Sequence, residues 1–305
     1  MSTSSSTPLP FKQVDVFTKS KFKGNPVAVF FEADHLSQEE MQAIANWTNL
    51  SETTFVQKPT EGSGADYRLR IFTPSEELPF AGHPTIGSAH AIIEAGIVKP
   101  KDGKLFQECF AGIVELKYNE ADGKIEFKLP YYVHSEVNKE IVDFEAIAGA
   151  LGIRGEQIEK YVPVHDGPHW FTIKLADAND VIGLKPNFSE LKALSLKGGI
   201  TGYSIFGKYN AGEYSEEFTG PVYEARNFFL LESFVEDPVC GSGAGADASV
   251  LAEIEGFEGE FVIKQGRKLG RDGSIAGRVE KTQNGSNDYS IFIGGNAITC
   301  INGTY

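Results

Sequence analysis

With 305 residues, 41% of them hydrophobic and 23% charged, the chain is too apolar to be disordered and long enough to bury a large core. At roughly 150 residues per domain, two domains are expected. The 28 basic and 42 acidic side chains leave a net charge of −14, a field that repels phosphate backbones and anionic membranes and so disfavours nucleic-acid and membrane partners.

The opening MSTSSSTPLP has no basic start and no apolar run, and reads as a short disordered tail rather than a signal peptide. Phe11 to Phe17 alternates valine with polar residues, and Val27 to Phe31 is an apolar run launched by Gly24-Asn25-Pro26, so the two predict a hairpin. Ser37 with Glu40 forms a capping box, after which Met41, Ile44, Ala45 and Thr48 recur on one face of a surface helix running to about Asn49. Strands are expected at Thr53–Gln57 and Tyr67–Phe72. From Pro84 to Ala95 almost no polar face remains, which predicts a buried helix inside a curled sheet, with Pro84 in the first helical position.

Strands recur near Leu105–Phe110, Ile113–Tyr118 and Ile125–Leu129, and the texture changes at Pro130-Tyr131-Tyr132. The expected organisation is an N-terminal half over 9–130, with 294–305 returning to it, and a C-terminal half over 131–293. The second half repeats the recipe: a helix at Phe144–Leu151 stopped by Gly152, strands at Trp170–Leu175 and Tyr203–Gly207, and a small-residue helix after Cys240. Further strands are expected at Phe261–Gln265, Ala276–Lys281 and Tyr289–Ile293. An internal repeat supports the duplication. Glu77-Leu-Pro-Phe-Ala-Gly-His83 aligns on Glu236-Asp-Pro-Val-Cys-Gly-Ser242, with Glu, Pro and Gly coinciding, and the same offset lays Ala89 on Ala248.

Each of these turns opens a helix, whose unpaired amides and positive dipole end suit a carboxylate. The first carries His83 and the second Ser242. Gly82, Gly241 and Gly243 permit either close approach of a ligand or simple helix capping. His35, His90, His134 and His165 form no constellation, and Asp166-Gly167-Pro168 breaks any helix that would pair His165 with His169, so no metal site is expected. Cysteines Cys109, Cys240 and Cys300 are too few and scattered for a disulfide framework, which fits a reducing, cytoplasmic setting. Cys240 at a helix start reads as a small buried residue or as a thiol base at carbon, and the repeat gives it Ala81 rather than a second thiol as counterpart. Gly241-Ser-Gly-Ala-Gly245 lacks dinucleotide-loop spacing and context.

The motifs Phe11-Lys-Gln-Val-Asp-Val-Phe with Gly24-Asn-Pro-Val-Ala-Val, Asn49-Leu-Ser-Glu-Thr-Thr-Phe55, Leu78-Pro-Phe-Ala-Gly-His-Pro-Thr85, Glu236-Asp-Pro-Val-Cys-Gly-Ser-Gly243, Gln265-Gly-Arg267 with Gly270-Arg271, and Gly294-Gly295 span nearly the whole chain. Together they resemble the phenazine-biosynthesis F-like (PhzF-like) family. The resemblance implies an α+β, diaminopimelate epimerase-like fold of two pseudo-symmetric halves, each a curled, barrel-like mixed sheet around a central helix, with a small anionic metabolite bound between them. It also implies a cofactor-free isomerase in which Glu52 is general acid/base, His83 and Asp237 are catalytic, and Ser242 with Gly82, Gly241 and Gly243 binds substrate; a homodimer is the expected assembly. A carboxylate in a water-poor cleft suits proton exchange at carbon near neutral pH, because burial favours its neutral form. The epimerase relatives carry thiols at the positions matched by Ala81 and Cys240. This chain keeps only one, so the resemblance favours isomerisation over stereoinversion. A binding protein without catalysis is the alternative.

Overall fold

In the computed structural model the described residues are 8–136, 142–214, 218–230, 235–282 and 288–305, so the N-terminal tail expected from sequence lies almost wholly outside them. The chain divides into two units, the described parts of Met1–Phe127 with Gly295–Tyr305, and Lys128–Gly294.

In the first unit, β1 (Pro10–Val16) and β2 (Asn25–Phe30) pair antiparallel from Phe11 opposite Phe30 to Val16 opposite Asn25. The helix α1 (Gln38–Thr48) starts at the expected capping box: the Glu40 N–H donates to Ser37 Oγ at 3.2 Å, and the Ser37 N–H donates to the Glu40 carboxylate at 2.8 Å. It stops at Asn49, whose left-handed backbone (φ 53°) returns its N–H to the Ala45 carbonyl. The strands β3 (Glu52–Gln57), β4 (Tyr67–Phe72) and β5 (Glu77–Leu78) lead into α2 (Gly82–Glu94), followed by β6 (Lys104–Cys109), β7 (Gly112–Tyr118) and β8 (Ile125–Lys128). Met41, Ile44 and Ala45 bury the apolar stripe of α1 against Phe30, Phe55 and Phe72. On the opposite side of the sheet, α2 packs against β1, β2 and β3 with nearly every side chain from His83 to Ile92 buried.

The second unit comprises β9 (Val133–His134), α3 (Phe144–Leu151), β10 (Ile158–His165), β11 (His169–Leu175), α4 (Ala178–Gly183), α5 (Phe188–Gly198), β12 (Gly202–Lys208), β13 (Val222–Phe229), β14 (Glu236–Asp237), α6 (Gly241–Glu255), β15 (Gly259–Gln265), β16 (Gly273–Lys281) and β17 (Tyr289–Gly295). Here α6 is the central helix, buried from Gly243 to Ala252 and packed against β10, β11 and β12. On the other face α3, α4 and α5 cover a cluster built on Leu151, Phe171, Leu191, Ile205 and Phe228. Finally β18 (Ala297–Thr304) returns to the first unit and pairs antiparallel with β1.

Both units repeat one pairing scheme. In the first, β18-β1-β2-β3-β4-β6-β7-β8 alternates antiparallel, antiparallel, parallel, antiparallel, parallel, antiparallel, antiparallel. In the second, β9-β10-β11-β12-β13-β15-β16-β17 follows the same order. Each is a curled, unclosed mixed sheet around one helix, an α+β, epimerase-like half. The repeat extends to side chains. Arg70 and Glu77 form a bidentate pair at 2.6 Å, Arg226 and Glu236 one at 2.8 Å. In each unit the strand ahead of this pair hydrogen-bonds the central helix, Thr54 to Ser88 at 2.8 Å and Ser204 to Asp247 at 2.6 Å.

One expectation needs correction. The first buried helix begins at Gly82, so Pro84 is its third residue rather than its first. The early N–H groups of a helix have no intrahelical acceptor, so a proline costs no hydrogen bond anywhere in the opening turn.

Candidate active site

The Asn49-Leu-Ser-Glu52 segment does two jobs. Asn49 closes α1, and the short connector after it launches Glu52 as the first residue of β3, opposite Val27 of the parallel neighbour β2. His83 stands in the first turn of α2, its side chain only 6% exposed. There its Nδ1 lies 2.8 Å from Glu52 Oε2 and its Nε2 lies 3.0 Å from the Asn25 carbonyl oxygen. The Phe17 ring packs beside it, 6.4 Å between centroids.

This geometry restricts the proton inventory. A carbonyl oxygen only accepts, so Nε2 carries a hydrogen. Nδ1 then either accepts from a neutral Glu52 carboxyl or donates, as imidazolium, to a Glu52 carboxylate. In both cases one proton lies between Glu52 and His83. The Glu52 side chain is 18% exposed, so the carboxyl is braced from one side by His83 while staying partly open to solvent. Asn25 was read from sequence only as a turn residue; its contribution here is a backbone carbonyl, which no residue type marks.

In the second unit the equivalent turn carries Asp237, Cys240, Gly241, Ser242 and Gly243. Asp237 is nearly buried and accepts the Val239 N–H at 2.9 Å. Cys240 is the N-cap of α6, its sulfur accepting the Gly243 N–H at 3.4 Å and lying 3.5 Å from Ser242 Oγ. The Gly243 amide is therefore engaged within the cap. A side chain at Gly243 would meet Asn227 at 2.1 Å, and one at Gly82 would meet the Phe127 ring at 2.5 Å. Close packing inside each unit thus requires both glycines. Burial, with the Asp237 carboxylate nearby, pushes the Cys240 thiol well above its usual range, which favours the small-buried-residue reading over the thiol base. His165 and His169 face each other across the β10–β11 hairpin with stacked rings 4.2 Å apart. Among the described residues no group of three or more metal-ligating side chains assembles, and no helix is long and apolar enough to cross a membrane.

The duplicated fold is of the epimerase-like architecture, and the comparisons with known proteins make the chain an isomerase. Residues 14–303 match the model of the phenazine biosynthesis-like protein family (PhzC-PhzF), and the chain belongs to that family. It is 45% identical over 301 residues to "Antisense-enhancing sequence 1" of Schizosaccharomyces pombe, covering 96% of this chain and 97% of the relative. It is 33% identical over 282 residues to the trans-2,3-dihydro-3-hydroxyanthranilate isomerase of Pseudomonas aeruginosa, covering 88% and 89%. The crystal structure of a Bacillus anthracis PhzF-family protein superposes with a TM-score of 0.84 at 25% identity, over 98% of this chain and 99% of that one. A hydroxyproline epimerase from Agrobacterium vitis, at 12% identity and a TM-score of 0.60 over 97% of this chain and 92% of that one, shares the fold.

Proposed function

We propose that this isomerase moves a proton between carbons of a small cyclic or unsaturated amino- or carboxylic acid without a cofactor, Glu52 acting as general acid/base. The observation that carries the reading is the 2.8 Å contact between Glu52 and a His83 ring whose other nitrogen is held by the Asn25 carbonyl. His83 keeps the Glu52 carboxyl in one orientation and exchanges a proton with it, so Glu52 can return to its starting state after each transfer. Asp237 orients a substrate amine or hydroxyl. Ser242 and the first-turn amides of α6 hold the carboxylate at the positive end of the helix dipole. A cytoplasmic, homodimeric enzyme is part of the same proposal, and size-exclusion chromatography with light scattering tests the dimer.

The test offers trans-2,3-dihydro-3-hydroxyanthranilate, the compound in the Pseudomonas relative's name, to the enzyme in deuterated buffer and follows deuterium at carbon. Wild type is expected to incorporate label, and Glu52→Gln to lose about 10²-fold or more in rate. Unchanged uptake in Glu52→Gln would remove Glu52 from the mechanism. Tight binding of the acid, returned unlabelled and unaltered, would favour the binding-only reading.

A further inference from the structure

Gln265, the last residue of β15, is only 2% exposed and touches both ends of the turn before α6. Its Oε1 accepts the Cys240 N–H at 3.0 Å, and its Nε2 donates to the Asp237 carbonyl at 2.9 Å. The two partners, one donor and one acceptor, fix the amide in this orientation. Inside the turn Pro238 supplies no N–H, and the Val239 N–H closes back on the Asp237 carboxylate at 2.9 Å. The glutamine therefore bridges the span that the turn's own side chains do not.

The residues after it are shaped to the same purpose. Gly266 has a left-handed backbone (φ 93°), and a side chain there would lie 2.5 Å from the Pro238 carbonyl oxygen. Only glycine lets the strand end press onto the turn. Arg267–Leu269 then makes a short 3-10 turn closed by Gly270 (φ 72°). The Gln265-Gly266 part of the motif is thus explained by this contact, and Gly270 by the turn that follows it.

The other unit supplies a control. Ala225 and Glu224 of β13 pair with Gln265 and Lys264, as Arg68 and Tyr67 of β4 pair with Glu108 and Gln107. Aligning the strands by their Arg70 and Arg226 places Cys109 where Gln265 stands. There the corresponding turn is tied by a backbone bond from the Ala111 N–H to the Pro79 carbonyl at 3.2 Å. The scaffold holds this turn without a glutamine, and the brace is present where Asp237 and Ser242 lie.

We infer that Gln265 is a positioning residue, the brace that sets Asp237 and the start of α6 in the spacing substrate binding requires. This rests on the roles proposed above for Asp237 and Ser242. Gln265→Glu tests it, because the substitution keeps an acceptor for Cys240 but sets a carboxylate oxygen against the Asp237 carbonyl, and protonation restores the donor. With trans-2,3-dihydro-3-hydroxyanthranilate in deuterated buffer, uptake relative to wild type should fall about tenfold or more at about pH 8 and recover as pH drops toward about 6. Gln265→Ala should stay slow throughout. A merely structural role would lower the melting temperature of both variants without moving the pH profile. A Gln265→Glu profile parallel to wild type overturns the proposal. If wild type itself takes up no label, the proposed reaction fails on its own account, and amide hydrogen exchange at Cys240 decides the brace. Protection lost in Gln265→Ala and kept at low pH in Gln265→Glu upholds it, and unchanged protection overturns it.

Discussion

Removing Glu236 should expose how much the paired arginine depends on it. Arg226 and Glu236 are 7% and 10% exposed, joined by two bonds of 2.8 Å, and the guanidinium also donates to the Leu184 carbonyl at 2.9 Å and lies 5.1 Å above the Phe228 ring. Breaking a buried pair from one side costs about 3–5 kcal/mol, because it strands a desolvated charge. The Leu184 carbonyl and the Phe228 ring stay behind and soften that, so Glu236→Ala is placed at about 3 kcal/mol. Replacing both partners with apolar residues, Arg226→Met with Glu236→Leu, removes the stranded charge and leaves chiefly the Leu184 carbonyl without its donor, about 1 kcal/mol. The double variant should therefore be more stable than the single one. Urea unfolding followed by tryptophan fluorescence reads this directly. Trp170 is 1% exposed in the same unit, and Trp47, 75% exposed, is silenced by Trp47→Phe. A cost below about 1 kcal/mol for Glu236→Ala, as for an exposed ion pair, or a double variant less stable than the single, would refute the reasoning.

Two further outcomes follow from the central helices. A methyl group at Gly87 would lie 2.4 Å from Val27 Cγ1 and 2.8 Å from Val16 Cγ2, both on stiff β-branched side chains, so Gly87→Ala should cost about 1–3 kcal/mol by overpacking, with Val27→Ala recovering part of it in the same melts. Burial pushes the Asp247 carboxyl well above the usual carboxylate range against the opposing hydrogen bond from Ser204, and burial with Asp247 nearby does the same to Asp166. A raised folded-state pKa gives stability that is full below the unfolded pKa and lost as pH rises through the folded value. Asp247→Asn should therefore gain on wild type in urea midpoint as pH rises from about 5 to 9, and a variant-minus-wild-type midpoint difference that stays constant or falls over that range contradicts the burial argument.

Local chemistry made the frame readable. The capping box at Ser37 and the left-handed stop at Gly152 each act within a few residues and appear as expected, and the strand read at β1 is present although Lys12 and Asp15 are buried along with its valines. The two central helices were visible because a helix surrounded by sheet leaves no polar face. What escaped was set by distant partners. All of β13 is buried although it carries Glu224, Arg226 and Asn227, which are accommodated by Tyr209, Glu236 and Ser204 from elsewhere in the chain. A hydrophobicity pattern cannot anticipate such satisfaction. In α5 the caps Asn187 and Gly199 were present in the sequence, but only Leu191 and Ser195 are fully buried, too thin a stripe to show as a period. Of the candidate site, His83 is legible in the repeated helix-opening turn and Glu52 only through motif resemblance, whereas the Asn25 carbonyl and the Gln265 brace depend on which backbone groups face them.

The duplicated scaffold carries different side chains at its equivalent positions. Phe72 pairs with Glu77 and with Thr53, and Phe228 pairs with Glu236 and with Tyr203, so Thr53 and Tyr203 occupy equivalent places. One step earlier, Glu52 corresponds to Gly202. A side chain at Gly202 would meet the Trp170 ring at 2.6 Å, so the second unit fills with indole the space next to the position its sister gives to a carboxylate. The repeat likewise sets His83 against Ser242, Leu78 against Asp237 and Ala81 against Cys240. One half holds a proton between an acid and an imidazole; the other presents a hydroxyl, a carboxylate and a braced helix start. Epimerisation by two matched bases would need the same reactive group at both equivalent turns, and neither the Glu52–Gly202 nor the Ala81–Cys240 comparison supplies one. A single acid/base that both removes and returns the proton is the chemistry this asymmetry supports, and it makes loss of exchange in Glu52→Gln the decisive measurement.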